Sequence, residues 1–188
     1  MYRFLAVTLS LISTTCFAWQ LQPADSSLSF VSIKKDSIGE VMHFKDMTGS
    51  LEAGGAALLS ISLDSVDTGV PVRDQRMRDL LFQVDQYPTA TFQGTIDMTA
   101  VASLKSGDQI HVPIKGKLTL HGKAAEIAAD TLTTKLTDGR LSVVTTQPVI
   151  VNAGTFGLTD GLKKLMELAN LPAISAAVPV SFALTFTP

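Results

Sequence analysis

Three closely spaced arginines are the residues of this sequence best suited to a chemical task. Arg73, Arg76 and Arg78 lie in a short charged segment, and helical spacing would make Arg73 a neighbour of Arg76 and pair Asp74 with Arg78. A guanidinium can hold an anionic or phenolic oxygen, so the cluster predicts a head-group site at the mouth of a pocket. The alternative is a set of surface ion pairs with nearby carboxylates, each worth under about 1 kcal/mol, and the sequence leaves both open.

Motifs for catalysis and metal binding are missing from the sequence. His111 and His121 would stand about 33 Å apart on one continuous strand, too far to share a metal. No H-E-x-x-H, G-x-S-x-G or phosphate-binding glycine loop occurs, and the carboxylates sit mostly at turn positions. A hydrolase built on an unrecognised carboxylate pair therefore has no support, and we expect neither an enzyme nor a cofactor or metal.

The first eighteen residues have the pattern of a secretory signal. Arg3 supplies a positive start, an apolar stretch follows, and Ala18 offers a small residue for cleavage before Trp19. We therefore expect export to the periplasm, with residues 19–188 forming a single domain. Cys16, the only cysteine, would leave with the signal, and the remaining net charge of 15 − 1 − 17 = −3 argues against nucleic acid as a partner.

The rest of the chain is dominated by strand-like alternation. Its last segment is the clearest, with Val178, Val180, Phe182, Leu184 and Phe186 on one face and smaller or polar residues on the other. About eight such segments predict an all-β fold, an antiparallel eight-stranded barrel of lipocalin-like architecture. The single Trp and two Tyr are too few for the aromatic girdles of a membrane barrel, so no stable membrane insertion is expected.

Two short helical inserts interrupt the strands. The first is predicted over residues 73–82 and the second over residues 159–171. In the second, Leu162, Leu165 and Met166 share one stripe, which either completes the core or forms a gate over an apolar tunnel. Both interpretations stay open at this point.

Several motifs in combination resemble one known family. They are Ser65-Val66-Asp67-Thr68, Arg73-Asp74 with Arg78 and Phe82, Tyr87-Pro88-Thr89-Ala90-Thr91-Phe92, and strand-like stretches at residues 19–30, 44–51 and 114–122. Together they resemble the YceI-like family of bacterial lipid- and polyisoprenoid-binding proteins over nearly all of residues 19–188. The chain departs from the family pattern at Arg76 and Met77, where members often carry His and Leu.

The resemblance implies a binding protein whose barrel holds a long apolar ligand. Such a ligand is a polyisoprenoid, a quinone precursor, a fatty amide or another long-chain lipid, and ten buried carbons would contribute up to about 8 kcal/mol before ordering costs. The predicted wall consists of Phe30, Phe44, Ile61, Phe82, Phe92, Ile96, Ile114, Leu118, Phe156, Phe182, Leu184 and Phe186.

A barrel that is packed solid is the alternative to this carrier. It would serve as a periplasmic stress or interaction module without a ligand. Cavity volume separates the two, because packed cores hold few voids larger than a water molecule. A homodimer is possible in either case.

Overall fold

The computed structural model describes residues 18–188, so the predicted signal lies outside the described residues except for Ala18. Within that range the chain forms twelve strands, all paired antiparallel. They are β1 (Ala18–Leu21), β2 (Ser27–Lys34), β3 (Ile38–Phe44), β4 (Met47–Glu52), β5 (Ala56–Ser62), β6 (Val66–Asp67), β7 (Thr89–Thr95), β8 (Gln109–Leu120), β9 (Lys123–Lys135), β10 (Leu141–Thr145), β11 (Val149–Asn152) and β12 (Ala177–Thr187).

Eight of these strands close into a barrel, which confirms the predicted fold. The ring runs β1-β4-β5-β7-β8-β9-β10-β12, and β12 returns to β1 through the pairs Gln20↔Thr187 and Leu21↔Phe186. A 3₁₀ turn at Pro23–Asp25 interrupts the N-terminal strand, so that β1 pairs with β4 while β2 pairs with β3. β10 and β11 pair one after the other with one edge of β12, and β1 and β2 pair with its opposite edge.

Three helices interrupt the strands of the described chain. They are α1 (Pro71–Arg76), which continues into a π-helical turn at Met77–Phe82, α2 (Met98–Ala102) and α3 (Thr159–Leu168). The first and third correspond to the two predicted inserts. α3 ends earlier than predicted because Asn170 adopts a left-handed conformation with φ of 50°. The sequence analysis did not foresee α2, where the Asp97 carboxylate accepts the Thr99 N–H at 2.9 Å and starts a helix directly after β7.

One end of the barrel, called here the helix end, carries most of the inserted structure. α3 packs on the π-helical turn there, and the Tyr87 ring contacts His121 at the tip of the β8–β9 hairpin in a tilted arrangement with 4.4 Å between ring centroids. The segment after α3 joins this end, because the Lys35 N–H donates to the Ala173 carbonyl and the Ser175 N–H to the Ile33 carbonyl. Any opening of the barrel at this end is therefore bordered by helices and hairpin tips.

Candidate ligand-binding cavity

The barrel encloses a cavity of about 500 Å³, a size typical of small-molecule sites. Its walls are overwhelmingly apolar. Eleven of the twelve predicted wall residues line it: Phe30, Phe44, Ile61, Phe82, Phe92, Ile96, Ile114, Leu118, Phe182, Leu184 and Phe186. Phe156 does not line it, and with 1% of its surface exposed it instead belongs to the packed core.

Residual exposure shows that the interior is hollow rather than filled. Phe44, Phe92, Leu118 and Phe182 all line the cavity, yet each is only partly buried. A side chain in a fully packed core, such as Leu141 at 0%, keeps no such surface. The four side chains therefore present apolar surface to an internal space, which a solid barrel would not contain.

Small residues and glycines create much of that space. Ala90 and Ala129 line the cavity among the larger side chains. Gly94 pairs with Gly116 across β7 and β8, and the Phe92 ring lies over them: a Cβ at Gly116 would come within 2.7 Å of Phe92 Cζ and 2.3 Å of the Gln93 carbonyl oxygen. The two glycines thus let this ring lie close against the wall.

A row of contacting aromatic rings connects the wall of the barrel to the helix end. The Phe30 and Phe44 centroids are 5.2 Å apart, and those of Phe44 and Phe82 are 5.7 Å apart. Since Phe82 ends the π-helical turn, this aromatic row fixes the turn directly over the cavity.

An ion-pair network forms one side of the mouth. Glu40 accepts from Lys34 Nζ at 2.9 Å and from Arg73 Nη1 at 2.7 Å, and all three residues line the cavity. The hydrogen bond from Lys34, together with the charge of Arg73, lowers the pKa of Glu40, so this carboxylate is ionised near neutral pH. The network ties β2 and β3 to α1.

The family motif around Asp67 and Asp74 holds the loop that leads into α1. Asp74 accepts hydrogen bonds from both the N–H and the hydroxyl of the buried Thr68, and Arg73 Nη2 donates to the Thr68 carbonyl at 2.7 Å. Asp67 accepts from the Gly69 N–H at 3.0 Å and from Lys45 Nζ at 2.8 Å, and the Lys45 bond lowers its pKa. These contacts give the motif a structural role in positioning the mouth.

The three candidate arginines occupy different environments. Arg73 is committed to Glu40 and Thr68, whereas Arg78 does not line the cavity and contacts Asp64 and Gln75. Arg76 lines the cavity, and within residues 18–188 its guanidinium has neither a hydrogen-bond nor an ion-pair partner. Of the three, Arg76 is therefore the one available to a ligand.

α3 covers the cavity from the helix end. Leu162 and Leu165 line the cavity, whereas Met166 is half-buried and does not. Sequence reasoning missed other lining residues near this helix and the π-helical turn, among them Met77, Leu81 and Leu158. Met77 and Leu81 could have been found from their i, i+4 spacing beside Phe82.

Neither a cluster of metal-ligating side chains nor a membrane-spanning helix is found in residues 18–188. No three His, Cys, Asp or Glu side chains in residues 18–188 are grouped so that they could hold a metal ion. None of the helices in the same range has the length and apolar character that crossing a bilayer requires.

Fold and cavity together define the class of small closed β-barrels that enclose an apolar binding space. The sequence profile of the YceI-like domain matches residues 19–186. The chain therefore belongs to the YceI-like family. None of the curated proteins matches it significantly.

Solved structures agree with this assignment. A polyisoprenoid-binding domain from Saccharophagus degradans, implicated in plant cell wall breakdown, is 36% identical over 89% of this chain and 97% of its own, with a TM-score of 0.86. BcnA from Burkholderia cenocepacia is 22% identical over 89% of this chain and 99% of its own, with a TM-score of 0.66. A Campylobacter jejuni YceI protein is 18% identical, covers 77% and 82%, and has a TM-score of 0.52. The last two support the fold alone.

Proposed function

We propose that this protein is an exported carrier that binds a polyisoprenoid, quinone precursor or fatty amide in its barrel. The observation that carries the proposal is the apolar cavity of about 500 Å³. Transfer of hydrocarbon out of water contributes about 0.8 kcal/mol per methylene, so a long tail supplies the affinity without any chemical step. The S. degradans domain supports the choice of a polyisoprenoid. The signal pattern in residues 1–18 supports export to the periplasm.

Purification from the native host tests the proposal directly. Native mass spectrometry of the mature protein is expected to show a bound lipid, which solvent extraction then identifies. Stripped protein is expected to take up geranylgeraniol added from ethanol in a one-to-one ratio. The carrier function would be contradicted if the protein purified from its host contains no ligand and the stripped protein does not bind geranylgeraniol or longer prenyl alcohols.

The polar end of the ligand is proposed to rest beside Arg76. Arg76 lines the cavity and its guanidinium has no protein partner in the described chain, while Glu40 and Thr68 hold Arg73 in place. A hydrogen bond from a charged donor is worth about 1.5–3 kcal/mol, less where water competes, so one such contact selects for a ligand with an oxygen at its end.

Arg76→Ala is therefore expected to weaken binding of a prenyl phenol or prenyl phosphate about tenfold. Binding of a pure hydrocarbon of the same length should not change, because the apolar wall is intact. Titration by native mass spectrometry measures both ligands. Arg78→Ala is the matched control, since Arg78 does not line the cavity. Equal loss in the two variants would assign Arg76 a structural role instead.

A further inference from the structure

Exposed apolar side chains concentrate at the helix end of the barrel. Within residues 18–188, eight large hydrophobic residues are exposed, and four of them, Ile38, Val70, Val72 and Leu168, belong to the helices and the hairpin tip of this end. Val72 has 57% of its surface exposed and Leu168 has 51%. Solvated apolar residues grouped at one end mark an interaction surface more often than single scattered ones do.

Three of these exposed residues, Val70, Val72 and Leu168, lie beside the opening of the cavity. Ile174 bridges to Lys34, Lys34 pairs with Glu40, and Glu40 pairs with Arg73 on α1, so the segment after α3 is linked to α1 around the opening. We call the apolar border of this opening the rim; it consists of Val70, Val72, Leu168, Ala169 and Leu171. All of these except Leu168 also line the cavity. Apolar surface therefore runs from the outside of the rim into the barrel.

The exposed charges around the rim balance one another, whereas the opening itself is lined by three cations, Lys34, Arg73 and Arg76, and by the single carboxylate of Glu40. Lys35, Lys163 and Lys164 are exposed near the rim, and so are Asp36, Asp160 and Glu167. The excess of cations at the opening gives a modest attraction for an anionic surface, and apolar contact supplies the rest of the interaction. Its partner is expected to be a surface that accepts apolar side chains, with head groups of either sign at its edge.

The proposed ligand explains what such a surface would be. A long-chain lipid resides in a bilayer, and each methylene drawn into water lowers the population of the free lipid about fourfold. Transfer is fast only if the tail passes from the bilayer to the cavity without crossing water. The continuous apolar path from rim to cavity provides that passage.

We propose that the rim docks on a lipid bilayer and inserts Val70, Val72 and Leu168 among the acyl chains while the ligand enters or leaves. This inference rests on the carrier function proposed above. It goes beyond it by assigning a membrane surface as the partner and the helix end as the face that meets it. Docking is reversible and is driven mainly by apolar contact.

Val72→Asp tests the docking surface. Aspartate in the first turn of α1 is compatible with the helix, so the fold should be retained. Flotation with phosphatidylcholine vesicles and with phosphatidylethanolamine–phosphatidylglycerol vesicles is expected to show at least a tenfold loss of binding to both. Wild-type binding is expected with both compositions, with a modest preference for the anionic vesicles that added salt removes.

Val144→Asp is the matched control. Val144 is exposed on the outer face of β10 and pairs with Ala183, about 20 Å along β12 from the end at Ala177. Val144→Ser serves as a milder second control, and thermal unfolding checks that each variant is folded. Both controls are expected to bind vesicles like the wild type. Equal losses at positions 72 and 144, or no association of the wild type with either vesicle, would overturn the docking proposal.

Loading from ethanol separates this proposal from the carrier function. Leu168→Gln changes the rim residue that does not line the cavity, so this variant is expected to take up geranylgeraniol from ethanol normally but to extract it from vesicles at least tenfold more slowly. If the wild-type protein loads normally from ethanol but does not bind vesicles, the docking surface is disproved and the carrier function is left intact. Vesicle binding without loading from either source would disprove the carrier function instead.

Discussion

Replacing Ala129 with tryptophan is expected to abolish tight binding of a long prenyl chain. Ala129 lies on β9 opposite Ile114 and lines the cavity. An indole projecting from this position occupies space that the ligand needs. If it displaces about four methylenes at about 0.8 kcal/mol each, the affinity falls by about two orders of magnitude. Geranylgeraniol titration followed by native mass spectrometry measures the loss.

The neighbouring position supplies the control for this variant. Ala128 is exposed, and side chains alternate between the faces of a strand, so Ala128→Trp places the same indole outside the barrel. Normal binding by Ala128→Trp and loss in Ala129→Trp, with both proteins folded, is the expected pair of results. If Ala129→Trp binds as tightly as the wild type, the ligand does not occupy the barrel.

The sequence could predict some of the residues that line the cavity, but it could not predict the size of the cavity. Strict alternation in β12 predicts that Phe182, Leu184 and Phe186 face the interior, and all three line the cavity. The size of the space was not predictable, because it depends on small residues such as Ala90 and Ala129. A small side chain in a strand carries no signal of whether its neighbours fill the gap or leave it open.

Phe156 was predicted to line the cavity but does not. It follows β11 in a turn with φ of 70° at Gly157, and no alternation defines its direction there. In the structure it is almost completely buried and lies away from the cavity. Side-chain type predicts burial well, but it cannot tell a packed core from a wall where regular strand geometry ends.

The three arginines show a second limit of what can be predicted from the sequence. Arg73, Arg76 and Arg78 are chemically identical, and their roles differ only through partners distant in sequence, such as Glu40. The fold brings Glu40 to Arg73 by pairing β2 with β3 beside α1, a contact that local spacing does not encode. The head-group hypothesis therefore narrows to Arg76 only once the three-dimensional structure is known.

Replacing Gly161 is expected to loosen the lid formed by α3. Gly161 is buried against the π-helical turn, and a Cβ there would come within 2.6 Å of the Leu80 carbonyl oxygen and 2.8 Å of Leu81 Cα. In an ordinary helix, exchanging Gly for Ala stabilises by about 1 kcal/mol. Here the new atom meets backbone, which cannot rotate away, so the sign of the effect reverses.

Gly161→Ala and Gly161→Val should therefore form a graded series. Overpacking costs about 1–3 kcal/mol, and the larger side chain falls at the upper end, equivalent to about a hundredfold shift in the lid equilibrium. Dissociation of a bound prenyl lipid is expected to accelerate in proportion, and amide hydrogens of α3 should exchange faster while those of β8 and β9 do not. Lys164→Val introduces the same side chain on the exposed side of α3 without the clash.

If α3 acts as a lid, a bound prenyl lipid must dissociate faster from Gly161→Val than from Lys164→Val. Both place a β-branched residue in α3, but only the first pushes the helix away from the Leu80 and Leu81 backbone. Since Leu162 and Leu165 line the cavity, that displacement uncovers the ligand on the side where the rim lies. Equal dissociation rates in the two variants would mean that the ligand leaves by another route, and that α3 only completes the core.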